Sequence, residues 1–165
     1  MNGDNTQLLR DCDLELNKIS TWIDTHKLDS NIKYLVSYAV IKSCGTIEHI
    51  LKSTLFDYLA QGAHLETQNY LQKQVLEASF NPSPEKINQL LKSMNPDWNI
   101  QFKNQTKATD DKEKLQSLIN LRNDFAHGSS IAATISNVIE YYESAKVIIT
   151  CIDGIINTVG VAGGV

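Results

Sequence analysis

All three prolines of this 165-residue chain, Pro82, Pro84 and Pro96, fall within fifteen residues, and residues 1–81 and 97–165 contain none. Inside a helix, proline removes a backbone hydrogen bond and clashes with the preceding turn, so long proline-free runs are where helices can persist. Both runs carry apolar residues at helical spacing, and strand-like alternation persists nowhere. The expectation is an all-α chain with its irregular connection near the middle.

Six helices follow from the pattern. Segment 5–27 places Leu8, Leu9, Cys12, Leu16, Ile19, Trp22 and Ile23 on one stripe, with acidic residues opposite. Segment 30–61 carries Tyr34, Leu35, Tyr38, Ile41, Ile47, Leu51, Leu55 and Leu59 at helical spacing. Segment 65–79 is a third helix of weaker pattern. Ser83-Pro84-Glu85 reads as N-cap, N1 and N2 of a fourth, ending near Met94. Residues 95–108 read as irregular. Thr109 reads as the N-cap of a fifth helix, whose first turn holds Asp110, Asp111 and Glu113 and whose end is closed by Gly128. The sixth, about 135–157, rests on Ile135, Val138, Ile139, Tyr142, Ala145, Ile148, Ile149 and Ile152. The fold class is a compact bundle of about five to six helices in a single domain, 1–159, with a flexible Gly-rich tail at 160–165. A chain of this length buries about 68–70% of its unfolded surface without metal or disulfide help.

Composition narrows the function. A net charge of −4 argues against a general polyanion binder. Cys12, Cys44 and Cys151 are odd in number and far apart, with neither a disulfide framework nor zinc-ligand spacing, which fits a reducing cytoplasm. Met1-Asn2-Gly3-Asp4 does not resemble a signal peptide. The apolar stretch Val147–Val161 is broken by Asp153 and Asn157 and falls short of a membrane span. No metal and no cofactor is expected, and no membrane partner.

Thirteen of the fifteen basic residues are Lys, and the two arginines are Arg10 and Arg122. Arg10, beside Asp11 and Asp13, reads as a solvated charge. Arg122 stands seven residues after Leu115, back on the stripe of Leu115, Leu118 and Ile119 to within about 20°. A guanidinium there needs a carboxylate partner, a cleft or a partner chain. On the second helix Glu48 interrupts the row Ile41–Glu48–Leu55, with Lys52 one turn on. Either the two form an exposed ion pair beside the buried stripe, or they reach toward Arg122.

The string Leu121-Arg122-Asn123-Asp124-Phe125-Ala126-His127-Gly128 also has two readings. In one, His127 complements the helix dipole and Gly128 ends the helix. In the other, the string cleaves RNA. The His127 imidazole takes a proton from a ribose 2′-OH or gives one to a leaving 5′-oxygen, and the Arg122 fork holds the scissile phosphate. No metal is required for that chemistry. A spacing of five puts the two side chains about 140° apart on a helix. The reaction benefits from both an acid and a base, so this reading calls for a twofold dimer with two histidines. His26, His49 and His64 read as surface or packing residues, and Trp98, in the irregular segment, is a mild candidate for stacking a base.

The phrases "LINLRNDFAHG" (118–128) and "IEHILKS" (47–53) resemble the HEPN superfamily, most closely its RiboL-PSP-HEPN-type members, over about residues 30–155. The resemblance implies a metal-independent endoribonuclease that acts as a homodimer on an RNA substrate. It implies toxin–antitoxin or antiviral systems, with an antitoxin or another defence-system protein as partner. By the same resemblance Arg122 holds phosphate, His127 is the acid/base, Asn123 shapes the site, and Glu48 and Lys52 support it. The alternative is a non-catalytic HEPN module that binds a nucleotide or a protein. Segment 81–127 holds seven basic and six acidic residues, so RNA affinity has to come from a local groove, a structured substrate or a larger complex.

Overall fold

The structure, a computed structural model, describes residues 1–159. Within them the fold is all-α, with seven helices and no strand. In chain order these are α1 (Gly3–Thr25), α2 (Ile32–Ala60), α3 (Leu65–Leu71), α4 (Pro84–Met94), α5 (Pro96–Gln105), α6 (Asp111–Ala126) and α7 (Ile135–Val159). The Gly-rich tail expected at 160–165 lies outside the described residues. No helix among the described residues is long and apolar enough to cross a membrane.

The long helices α2 and α7 form the spine. α7 packs against α2, α6, α5 and α1, and α2 packs against α1, α6 and α7. On α7 the residues Ile135, Val138, Tyr142, Ala145, Ile148, Ile149 and Ile152 are buried, and Ile155 and Ile156 extend the stripe. Its start is a reciprocal capping box. Thr134 Oγ1 accepts from the Asn137 N–H at 3.2 Å, and Asn137 Oδ1 accepts from the Thr134 N–H at 3.0 Å.

Three local expectations are corrected. Residues 96–105, read as irregular, form α5, so the helices number seven. Asn95 caps α5 by accepting from the Asp97 N–H at 2.9 Å, and Pro96 occupies the first turn. Asn95-Pro96-Asp97 thus repeats the cap–proline–acid order of Ser83-Pro84-Glu85, where Ser83 Oγ accepts from the Lys86 N–H. The N-cap of α6 is Asp110 rather than Thr109. Asp110 makes no capping bond with its side chain and pairs with Lys114 at 3.0 Å instead.

The third correction concerns which face of α2 is inside. Tyr34, Tyr38 and Ile41 are exposed, while Val36, Ala39, Val40 and Cys44 are buried in their place. From Ile47 onward the expected stripe does enter the core, at Ile47, Leu51 and Leu55. α1 and α7 both pack on α2, and in its N-terminal half it is the smaller residues that are turned inward. Tyr38 donates its hydroxyl to Glu15 of α1 at the edge of that contact, and Lys42 pairs with Glu15 at 2.8 Å.

After α3 the chain winds into one π-helical turn, Gln72–Leu76, closed by the Glu77 N–H to Gln72 carbonyl bond at 3.0 Å. It rests on α2. The connector 77–83 then bonds to both α2 and α6, at Glu48 and at Asn123.

Candidate functional site

α6 presents Leu115, Leu118 and Ile119 to the core, each 2% exposed or less, and α2 lies against them. Cys44 of α2 donates its thiol to the Leu118 carbonyl at 3.7 Å. Burial pushes that thiol up to about 12, with the Arg122 guanidinium pulling the other way and Glu48 adding to the rise. The three residues therefore share one neighbourhood where α2 meets α6.

One turn past Ile119 the apolar stripe ends in Arg122, which is half-buried. Among the described residues no carboxylate lies within 4.0 Å of it. Its Nη1 donates to Asn123 Oδ1 at 3.4 Å. Of the three arrangements open to a guanidinium on this stripe, the carboxylate partner is not the one adopted.

Glu48 and Lys52 do form an ion pair, at 3.4 Å, but their side chains are only 21% and 14% exposed. This is a partly covered pair, not the exposed one of the simpler reading. Nor does Glu48 reach Arg122 directly. Its Oε1 accepts from the backbone N–H of Phe80 at 3.0 Å, 32 residues away. The next residue, Asn81, donates Nδ2 to Asn123 Oδ1 at 3.3 Å. The connector is thus held on one side by Glu48 and on the other by Asn123, and it links the two motifs that the sequence shows separately.

Phe80 and Asn81 were not candidates from the sequence. They belong to no periodic segment. Their one local signal is position, immediately before Pro82-Ser83-Pro84, where the chain is stiffened and has few ways to turn.

His127 is the C-cap of α6 and is exposed. Gly128 follows in the left-handed region, at φ 79°. Its N–H bonds to the Phe125 carbonyl at 3.0 Å, and the Ser129 N–H bonds to the Asp124 carbonyl at 2.9 Å. This pair of bonds is a Schellman closure, and it requires the positive φ that glycine adopts without strain. The backbone angles of His127, φ −90° and ψ 10°, lie in the bridge region, outside the helical range. Because α6 is regular up to Ala126, position 127 still lies about 140° around the axis from Arg122, and no hydrogen bond joins the two among the described residues. Asn123 links them through the chain: its side-chain oxygen receives Arg122, and its backbone oxygen receives the His127 N–H at 3.0 Å. Asp124 is exposed.

The remaining sequence candidates separate cleanly. Trp98 is 2% exposed, packed edge-on to Tyr58 at 5.0 Å, so it is a core residue and offers no face to a base. His26, His49 and His64 are exposed. His26 stacks on Trp22 at 4.2 Å between centroids. Arg10 is exposed.

Chemically, the site is a covered carboxylate–ammonium pair, two side-chain amides and a guanidinium with no carboxylate partner among the described residues, beside an exposed imidazole. No curated protein and no solved structure matches the chain. One family model does, over residues 3–158, and its description is RiboL-PSP-HEPN. The match takes in both motif-bearing helices and the connector between them, and the chain belongs to the RiboL-PSP-HEPN family.

Proposed function

We propose that this chain is a metal-independent endoribonuclease that works as a homodimer, in toxin–antitoxin or antiviral defence. The observation that carries the reading is the Arg122 guanidinium. It ends an apolar stripe, is half-buried, and has no carboxylate within 4.0 Å among the described residues. Such a group retains its donor fork for an anion, and a phosphodiester is the anion whose geometry matches the fork.

In the proposed reaction the ribose 2′-oxygen attacks phosphorus and the bond from phosphorus to the 5′-oxygen breaks. One imidazole removes the 2′-proton, and a second donates a proton to the departing 5′-oxygen. The products carry a 2′,3′-cyclic phosphate and a 5′-hydroxyl. Arg122 stabilises the charge that builds on the phosphate oxygens. Because His127 leaves α6 far around from Arg122, one chain is poorly arranged to supply every group. Two copies related by a twofold axis bring two guanidinium groups and two imidazoles to one groove. Asn123 sets the position of Arg122, while Glu48 and Lys52 act at a distance through the connector. A cognate antitoxin or another defence protein would cover the groove.

Incubation of the purified protein with total RNA and with tRNA, in EDTA, tests the chemistry. Cleavage is expected from the parent protein and none from His127→Ala or Arg122→Ala. Size-exclusion measurement should give a dimer for all three. If the His127→Ala protein cut RNA as well as the parent, the mechanism would be wrong.

The net charge of −4 favours a second reading, a non-catalytic module that binds a nucleotide or a protein. Growth arrest on expression, relieved by His127→Ala, separates the two readings in favour of the enzyme.

A further inference from the structure

Between α2, the π-helical turn and α4 lies a cavity of about 160 Å³, which shares Lys52 and Phe80 with the polar cluster but is not lined by Arg122 or His127. Its walls are Leu55 of α2, Val75 of the π-helical turn, Phe80 of the connector, and Leu90 and Met94 of α4. An apolar cavity of about 150 Å³ is enough to take a benzene ring. Among the described residues one ionisable residue lines the wall, Lys52.

Two features set this space apart from a packing fault. The first is the backbone around it. The chain departs from α-helical winding at Gln72–Leu76, and Gln74 and Val75 of that wider turn line the cavity. Single π-helical turns recur beside functional sites. On the other side Phe80 is fixed by its N–H bond to Glu48 at 3.0 Å, so that wall is pre-formed.

The second feature is the state of Lys52. Its side chain is 14% exposed, and its one ion pair among the described residues, with Glu48, is long at 3.4 Å. An ammonium group has three donors and gains most from short contacts to an anion. Glu48 is meanwhile engaged more closely by the Phe80 N–H. The cavity is therefore an apolar chamber with Lys52 in its wall, and the ammonium of that residue is mostly covered and incompletely engaged.

We infer that this cavity is a binding site for a small aromatic or short branched aliphatic carboxylate, with the ring or chain among Leu55, Val75, Phe80, Leu90 and Met94 and the carboxylate on Lys52. The inference concerns a space apart from Arg122 and His127 and stands whether or not these residues cleave RNA.

Benzoate and its uncharged analogue toluene are suitable probes, titrated into the full chain and followed by proton–carbon NMR of the Val75, Leu90 and Met94 methyl groups. Benzoate should produce saturable shifts at these methyls and bind more tightly than toluene. Lys52→Met should weaken benzoate by roughly ten-fold, the loss of one charge-assisted hydrogen bond, and leave toluene unaffected. Ala78→Leu, which places three further carbons into the space beside Ala78, should abolish both. Absence of saturable shifts with benzoate at millimolar concentration overturns the assignment. So does benzoate binding that is unchanged in Lys52→Met, or toluene binding more tightly than benzoate to the parent protein. The parent and Lys52→Met titrations decide the matter even if the Ala78→Leu protein does not fold.

Discussion

Asn81 Nδ2 and Arg122 Nη1 donate to the same atom, Asn123 Oδ1, at 3.3 and 3.4 Å. Asn123 is the residue directly after the arginine, and Asn81 stands 42 positions earlier in the chain. Both bonds are long, so each is weak. Their value is geometric, because they tie the connector to the helix that carries Arg122. Together with the Glu48 bond to the Phe80 N–H, they turn the separate motifs of α2 and α6 into one polar cluster.

The Glu48 contact sets a stability prediction. Glu48→Ala leaves the Phe80 N–H without its acceptor and should cost about 2 kcal/mol, the scale of a hydrogen bond to a charged group. Glu48→Gln keeps an acceptor oxygen and should cost less than half of that. Urea unfolding measures both. Hydrogen exchange at the Phe80 amide should quicken in Glu48→Ala and stay slow in Glu48→Gln.

Two glycines, one just past the end of α6 and one within α2, should respond with opposite signs. Gly128 has φ 79°, and nothing lies within 4 Å of an added Cβ, so Gly128→Ala meets only the backbone cost. That cost is about 1–2 kcal/mol. Gly45 lies within α2, also with open space around its Cβ position. Gly45→Ala should stabilise the chain by about 0.5–1 kcal/mol. Thermal unfolding of the two variants should shift in opposite directions.

Trp98 provides a check on where RNA can touch under the proposed function. At 2% exposure its ring is enclosed by protein, so a bound oligonucleotide should leave its fluorescence nearly unchanged in a Trp22→Phe background. Trp98→Ala should cost about 3–5 kcal/mol, the scale for deleting a buried aromatic side chain.

The Cys44 thiol predicts a pH dependence. Burial raises it from 9.0 to about 12. The unfolded chain therefore ionises this thiol first as pH rises, and ionisation favours the unfolded state. The Cys44 contribution to stability is intact below pH 9 and is lost between pH 9 and about 12. Cys44→Ala should flatten the alkaline limb of a stability–pH curve. In the folded protein a disulfide reagent at pH 8 should modify Cys151, which is partly exposed, before buried Cys12 and Cys44.

Much of the helical pattern was legible without the structure. Ser83 before Pro84, Gly128 after His127 and the isoleucine stripe of α7 act within one or two turns of chain, and each is found where the sequence places it. α5 was legible too, in Asn95-Pro96-Asp97, but Pro96 and the weak apolar pattern argued for a break. Its single aromatic face, Trp98 and Phe102, is too short to show a period, and both residues are buried.

The exposed row Tyr34, Tyr38 and Ile41 shows the limit of periodicity. Spacing establishes that α2 has an apolar stripe. It does not say which of two overlapping stripes, the large residues or Val36, Ala39, Val40 and Cys44, faces inward. The choice fell to the smaller side chains, over which α1 and α7 can approach closely.

The sequence by itself determined an all-α chain, the cap and stop of its main helices, and the presence of Arg122, Asn123 and His127 at the end of one of them. These follow from interactions between residues a few positions apart. Only the tertiary structure decided that Glu48 holds Phe80, that Asn81 meets Asn123, and that Trp98 is interior. Those pairings join residues 32 and 42 positions apart or depend on which neighbour covers a face. They are set by how α2, α6 and the connector pack together, which no local rule of spacing contains.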